Sequence, residues 1–134
     1  MSKSAIFMAN TVSTSVGANA AVPLGTVNRR FGCSVNGTTG GIVLNEPGYY
    51  LVTANISYTA PATGNVTVAL QQDGVSVPGA TAIDTVATAS TEINNITVTG
   101  IIRVMCGNAP DTITLQNTGV AITTSNVAIS AVKL

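Results

Sequence analysis

Glu46-Pro-Gly-Tyr-Tyr-Leu-Val-Thr-Ala-Asn-Ile-Ser-Tyr58 is a tight turn followed by ten residues that sort by parity. Even positions are Tyr50, Val52, Ala54, Ile56 and Tyr58, all apolar or aromatic. Odd positions are Tyr49, Leu51, Thr53, Asn55 and Ser57, apolar only at the start. Successive side chains of a strand point to opposite faces, so this is a strand with one face on a core. Pro47-Gly48 supplies the turn that launches it.

The same period continues on both sides. Val66, Val68 and Leu70 alternate with Thr67, Ala69 and Gln71. Ile96, Val98, Ile102 and Val104 alternate with Thr97, Thr99, Ile101 and Arg103. Ile113 and Leu115 alternate with Thr112, Thr114 and Gln116. Strands are expected near 4–9, 31–35, 41–45, 49–58, 65–72, 75–78, 93–105, 112–117, 120–123 and 126–133. Asn36-Gly37 and Asp73-Gly74 read as hairpin turns, and 60–65 and 107–111 as loops. Turn signals recur about every 8–12 residues, which suggests a sandwich or jelly roll. The chain of 134 residues is expected to form one all-β domain, 1–134, of about ten short antiparallel strands, its first few residues serving as an attachment arm.

Composition narrows the function. Charged residues make up 7%, with five cations and five anions, and there is no His or Trp. A nucleic-acid partner is not expected, because five scattered cations form no phosphate-neutralising patch. Without His neither a Ser-His-Asp triad nor an ordinary zinc site can be built, so no catalytic residue, cofactor or metal is expected. Glu46, Asp73 and Asp111 fall in turn clusters. Asp84 and Glu92 flank what reads as a polar loop at Thr85–Thr91, and neither a paired-carboxylate cleft nor a calcium loop is spelled out. No apolar run reaches the roughly 20 residues that span a bilayer, and Met1–Asn10 lacks a signal-peptide core, so no membrane partner and cytoplasmic synthesis are expected.

Cys33 and Cys106 admit two readings: a disulfide closing a long loop, or two small buried thiols. Arg29-Arg30 reads as a solvated strand entry, a pair with Glu46 or Glu92, or a contact for an acidic partner. Phe7, Phe31 and the three tyrosines read as core or interface. Two strands are apolar on parts of both faces: Tyr49–Tyr58, and the last, where Val127, Ile129 and Ala131 oppose Ala128, Val132 and Leu134. A strand apolar on both faces is covered on both, and a two-layer sandwich covers one. The second cover is then another subunit, the alternative being a plain excess of Ala and Val.

Several of these stretches carry a resemblance. Residues 46–57 resemble the Gly-Tyr-Tyr strand of complement globular-head and tumour-necrosis-factor-like jelly rolls; 66–74 resemble their next strand and turn, and 126–134 their closing strand. The chain is similar to the globular domain of spore-surface collagen-like glycoproteins. Through Ser4–Phe7, Arg29–Cys33, Val75–Ala80 and Ile101–Cys106, it is also similar to phage head-fibre or capsid-decoration proteins. No Gly-X-Y stalk precedes the head in this sequence. The resemblance implies a non-enzymatic virion protein, made in the host cytoplasm and carried on the capsid surface. It further implies a homotrimer with Tyr49, Leu51, Ile129 and Ala131 at trimer contacts. Both termini would lie at one end, against a capsid protein. Loops 59–65, 84–92 and 118–125 would share the other end, facing host-surface carbohydrate. A spore or cell-surface jelly roll and a carbohydrate-binding module are the alternatives.

Overall fold

The computed structural model describes residues 3–61, 63–88, 92–107 and 110–134. Among them the regular structure is all strand: β1 (Ala5–Asn10), β2 (Thr14–Val16), β3 (Ala20–Ala21), β4 (Thr26–Phe31), β5 (Val35–Thr38), β6 (Gly41–Leu44), β7 (Gly48–Thr59), β8 (Gly64–Gln72), β9 (Val75–Val86), β10 (Asn94–Val104), β11 (Asp111–Asn117) and β12 (Ile122–Lys133). They form two antiparallel sheets. One runs β10-β7-β12-β1-β4, with β2 added to β12; the other runs β5-β6-β11-β8-β9, with β3 added to β11. No helix among the described residues is long and apolar enough to cross a membrane.

The parity of β7 is realised in full. Tyr50, Val52, Ala54, Ile56 and Tyr58 are wholly buried between the sheets, with Val127, Ile129 and Ala131 of β12 beside them. Val66, Val68 and Leu70 of β8 and Ile113 and Leu115 of β11 face them from the second sheet. Burying a Val, Leu or Ile side chain contributes about 1.5–3 kcal/mol, so this layer dominates the stability of the protomer.

Glycine closes both flanks of the sandwich. Gly37 on β5 sits where a Cβ would come within 2.6 Å of Met8 Sδ and 2.8 Å of Val27 Cγ2. Gly100 on β10 occupies an inward position, and a Cβ there would lie 3.0 Å from that of Ala80 on β9. Asn36-Gly37 is therefore not the expected turn. Gly37 lies inside a strand, because β1 and β4 press against it, and the chain reverses at Thr39-Gly40. Asp73-Gly74 does turn the chain, with φ of 52° and 85°.

Three more expectations are corrected. The strand expected at 31–35 is the end of β4 and the start of β5, with a bend at 32–34 between them. The short strand at 75–78 runs on to Val86. It does so because Val77–Ala80 bulge out opposite Leu70, where Gly79 takes a φ of 83°, and pairing resumes at Thr81↔Ala69. Asp84 and Thr85 are thus in β9 and not in a polar loop; residues 89–91 of that stretch lie outside the described residues. The small strands β2 and β3 escaped the pattern because two or three residues carry no period.

The ends of the molecule are distinct. The amide of Lys133 donates to Ser4 O and that of Leu134 to Tyr49 O, so both described chain ends lie together. The Lys133 ammonium is 3.5 Å from Glu46 Oε2, and Glu46 also accepts from the Ser34 hydroxyl, which ties this end down. At the opposite end Tyr58 pairs with Asn94 and Gly64 with Val86, and the amide of Val120 donates to Asn65 O.

Candidate assembly face

The outward side of the β10-β7-β12-β1-β4 sheet carries the residues that the core does not use. In register across all five strands lie Ile101, Leu51, Val132, Ala5 and Phe31. Every member is apolar. Ile101 is 59% exposed, Leu51 36%, Val132 41% and Phe31 67%. Tyr49 and Leu134 extend this belt toward the terminal end, and Phe7 toward the middle. Monomeric proteins scatter such residues singly; a continuous apolar belt rimmed by polar groups marks an interaction surface.

Charge is confined to the margins of the face. Arg103 on β10 stands 5.9 Å from the Tyr49 ring centroid, an exposed cation–π contact. Arg29 on β4 is opposite Phe7 on β1. Ala5, Phe7, Arg29, Phe31, Ser130 and Val132 border a shallow groove of about 330 Å³. The outward positions of β7, β12 and β1 between these margins hold only Ala, Ser, Thr, Asn and larger apolar residues. A face without central charges loses its water cheaply. Beyond the belt it turns polar, with Thr99, Thr53 and Ser130 in the next row and Thr97, Asn55 and Ala128 in the one after.

Placed on this geometry, the four residues expected at a trimer contact divide. Tyr49 and Leu51 are on the outward face. Ile129 and Ala131 are fully buried in the protomer's own core and leave no surface for a neighbour. That half of the expectation is corrected: the outward parity of β12 is Ala128, Ser130 and Val132. Ile101 and Val132 were not singled out from the sequence as interface residues. The usable signal was Ile101 interrupting the otherwise polar face of Thr97, Thr99 and Arg103.

The cysteines follow neither reading. Cys33 and Cys106 are free and exposed. They follow β4 and β10, which stand at the two ends of the strand order β10-β7-β12-β1-β4. Strands about 4.8 Å apart separate those edges far beyond the roughly 4.4–6.8 Å between Cα atoms that a disulfide allows. Arg29-Arg30 lies within β4, with Arg30 Nε donating to Val35 O at 2.7 Å.

The carboxylates are structural. The buried Tyr58 hydroxyl donates to Asp84 Oδ2, and burial, reinforced by that carboxylate, pushes the phenol well above its ordinary pKa. Asp111, 4% exposed, accepts from Gln72 Nε2 at 2.6 Å. Burial foremost, with nearby Asp73, raises the Asp111 pKa. Among the described residues no group of three or more Cys, Asp and Glu is placed to hold a metal.

The architecture is a jelly-roll β-sandwich of the tumour-necrosis-factor-like type. A family model for the BclA C-terminal domain matches residues 6–134, and the chain belongs to that family. No curated protein matches its sequence. Solved structures share its fold at low identity. Murine APRIL, crystallised at pH 5.0, aligns with a TM-score of 0.77 and 16% identity over 99% of this chain and 100% of that one. The globular domain of zebrafish complement 1qA gives 0.67 and 10%, over 95% and 94%. The PRD1 vertex protein gives 0.62 and 19%, over 98% and 96%.

Proposed function

We propose that the protein is a non-enzymatic structural module of an external surface, working as a homotrimer, and that this surface is a phage capsid on which it serves as head fibre or decoration. The observation that carries the reading is the five-strand apolar belt of Ile101, Leu51, Val132, Ala5 and Phe31, a face suited to burial by further copies. In a three-fold arrangement one part of this face meets a different part of the next copy, a heterologous contact that closes into a ring. Both chain ends at one pole leave the loop pole, rich in Thr, Ser and Asn, to face outward toward host carbohydrate. Three copies of a weak contact gain avidity from effective concentration alone. The fold shared with a PRD1 vertex protein supports the capsid setting. Membership in the BclA C-terminal family supports the second reading, a spore or cell-surface jelly roll.

Sedimentation equilibrium at micromolar concentration tests the assembly, with a mass three times 13.4 kDa expected and a stable monomer overturning it. Mass spectrometry of purified particles tests the setting. The polypeptide in virions is the expected result; its presence in spore coats with none in virions selects the second reading.

A further inference from the structure

Asn55 Oδ1 is the one buried side-chain oxygen or nitrogen among the described residues that has no hydrogen-bond partner. It stands on the outward face of β7, with Thr97 of β10 and Ala128 of β12 beside it in register. β7 runs between β10 and β12, so Asn55 stands on an interior strand of the sheet, two rows from the apolar belt. A buried acceptor left unmade costs about 1–3 kcal/mol, and native proteins leave few of them. No group of the protomer donates to this oxygen.

We infer that Asn55 is the specificity-determining residue of the homotrimer, its amide completing a three-membered hydrogen-bonded ring with the Asn55 amides of two further copies. The inference rests on the trimer reading above. An amide suits this position because it carries an acceptor and two donors on one planar group. Around a three-fold axis each Nδ2 donates to the next copy's Oδ1, and all three oxygens are satisfied by one repeated contact. Rotation of the amide about χ2, a broad torsion, turns the oxygen toward the axis. No partner of another chemistry is required, and the uncharged surroundings of Ser57, Thr53 and Ala128 supply no rival acceptor charge. The apolar belt gives attraction without direction; one polar ring that is satisfied only in one register and one copy number gives it direction, as single buried asparagines do in coiled coils.

The test compares wild type, Asn55→Asp and Thr97→Asp by sedimentation velocity across pH, with far-UV circular dichroism confirming that each is folded. Asp at position 55 brings three carboxylates together, so association at pH 7 is expected to weaken about 100-fold or more and to return on acidification through the carboxylate range. Asp at the neighbouring position 97 is expected to change it less than about tenfold. An Asn55→Asp protein as tightly trimeric at pH 7 as wild type overturns the ring, as does equal weakening by both variants. A monomeric wild type overturns the trimer itself and the ring with it. On unmodified protein, the Asn55 side-chain amide protons are expected to exchange with solvent at least about 100-fold more slowly than those of exposed Asn36. Equal exchange rates in a proven trimer overturn the ring alone.

Discussion

Asp111 shows how one buried group sets a solution property. Its pKa is raised in the folded state, chiefly because burial disfavours the charged carboxylate. The unfolded chain binds that proton only at the ordinary, lower value. Stability is therefore reduced at pH above the folded pKa, and the loss fades as pH falls from the folded pKa to the lower unfolded one. Other carboxylates titrate too. Subtracting the Asp111→Asn profile isolates the effect, since Asn keeps an oxygen for Gln72 Nε2. Denaturant titrations between pH 3 and about 7 should show wild type gaining stability relative to the variant as pH falls; a constant difference would refute the assignment. None of this was legible in the sequence. Asp111 follows Pro110 and reads as a turn residue, and only the pairing of Asp111 with Leu44 shows that it opens a buried strand. The parity of residues 49–58, in contrast, was fully legible, because an alternation of ten residues has one arrangement that buries its apolar half.

At the scale of the element, each face of β12 has its own task. Val127, Ile129 and Ala131 hold the protomer together, and Val132 stands in the belt. Val132→Asp should thus separate folding from assembly. The side chain is 41% exposed in the lone protomer, so the unfolding free energy of the monomer should change by no more than about 0.5 kcal/mol. Light scattering should meanwhile find the trimer gone, and an undiminished trimer would remove Val132 from the interface. Sequence reading saw that this strand is apolar on both sides and needs two covers. It could not see which side meets which cover: Ile129 and Ala131 suit either equally well until β1 and β7 are laid beside them. Gly37 and the 77–80 bulge escaped for a related reason. A glycine forced by a neighbouring strand looks, in one dimension, the same as a glycine that makes a turn.

For the whole molecule, the weak point is hydration. With 7% charged residues and zero formal net charge, little electrostatic repulsion keeps copies apart. In the proposed trimer the apolar belt is hidden. If folding and association are linked, melting must depend on concentration, because mass action stabilises whatever binds only the folded state. Calorimetry over a hundredfold dilution should show the transition falling on dilution for wild type, and staying fixed for Val132→Asp. A wild-type transition indifferent to dilution would mean that the protomers melt without first parting.

Lys3 and Leu134 leaving the sandwich side by side has a practical corollary. A polypeptide grafted at either extremity would hang beneath the proposed trimer, and epitopes spliced into the connections at the far pole would be held aloft in triplicate. Such a trimer would serve as a pedestal, its handle and its display platform kept apart by the length of the strands.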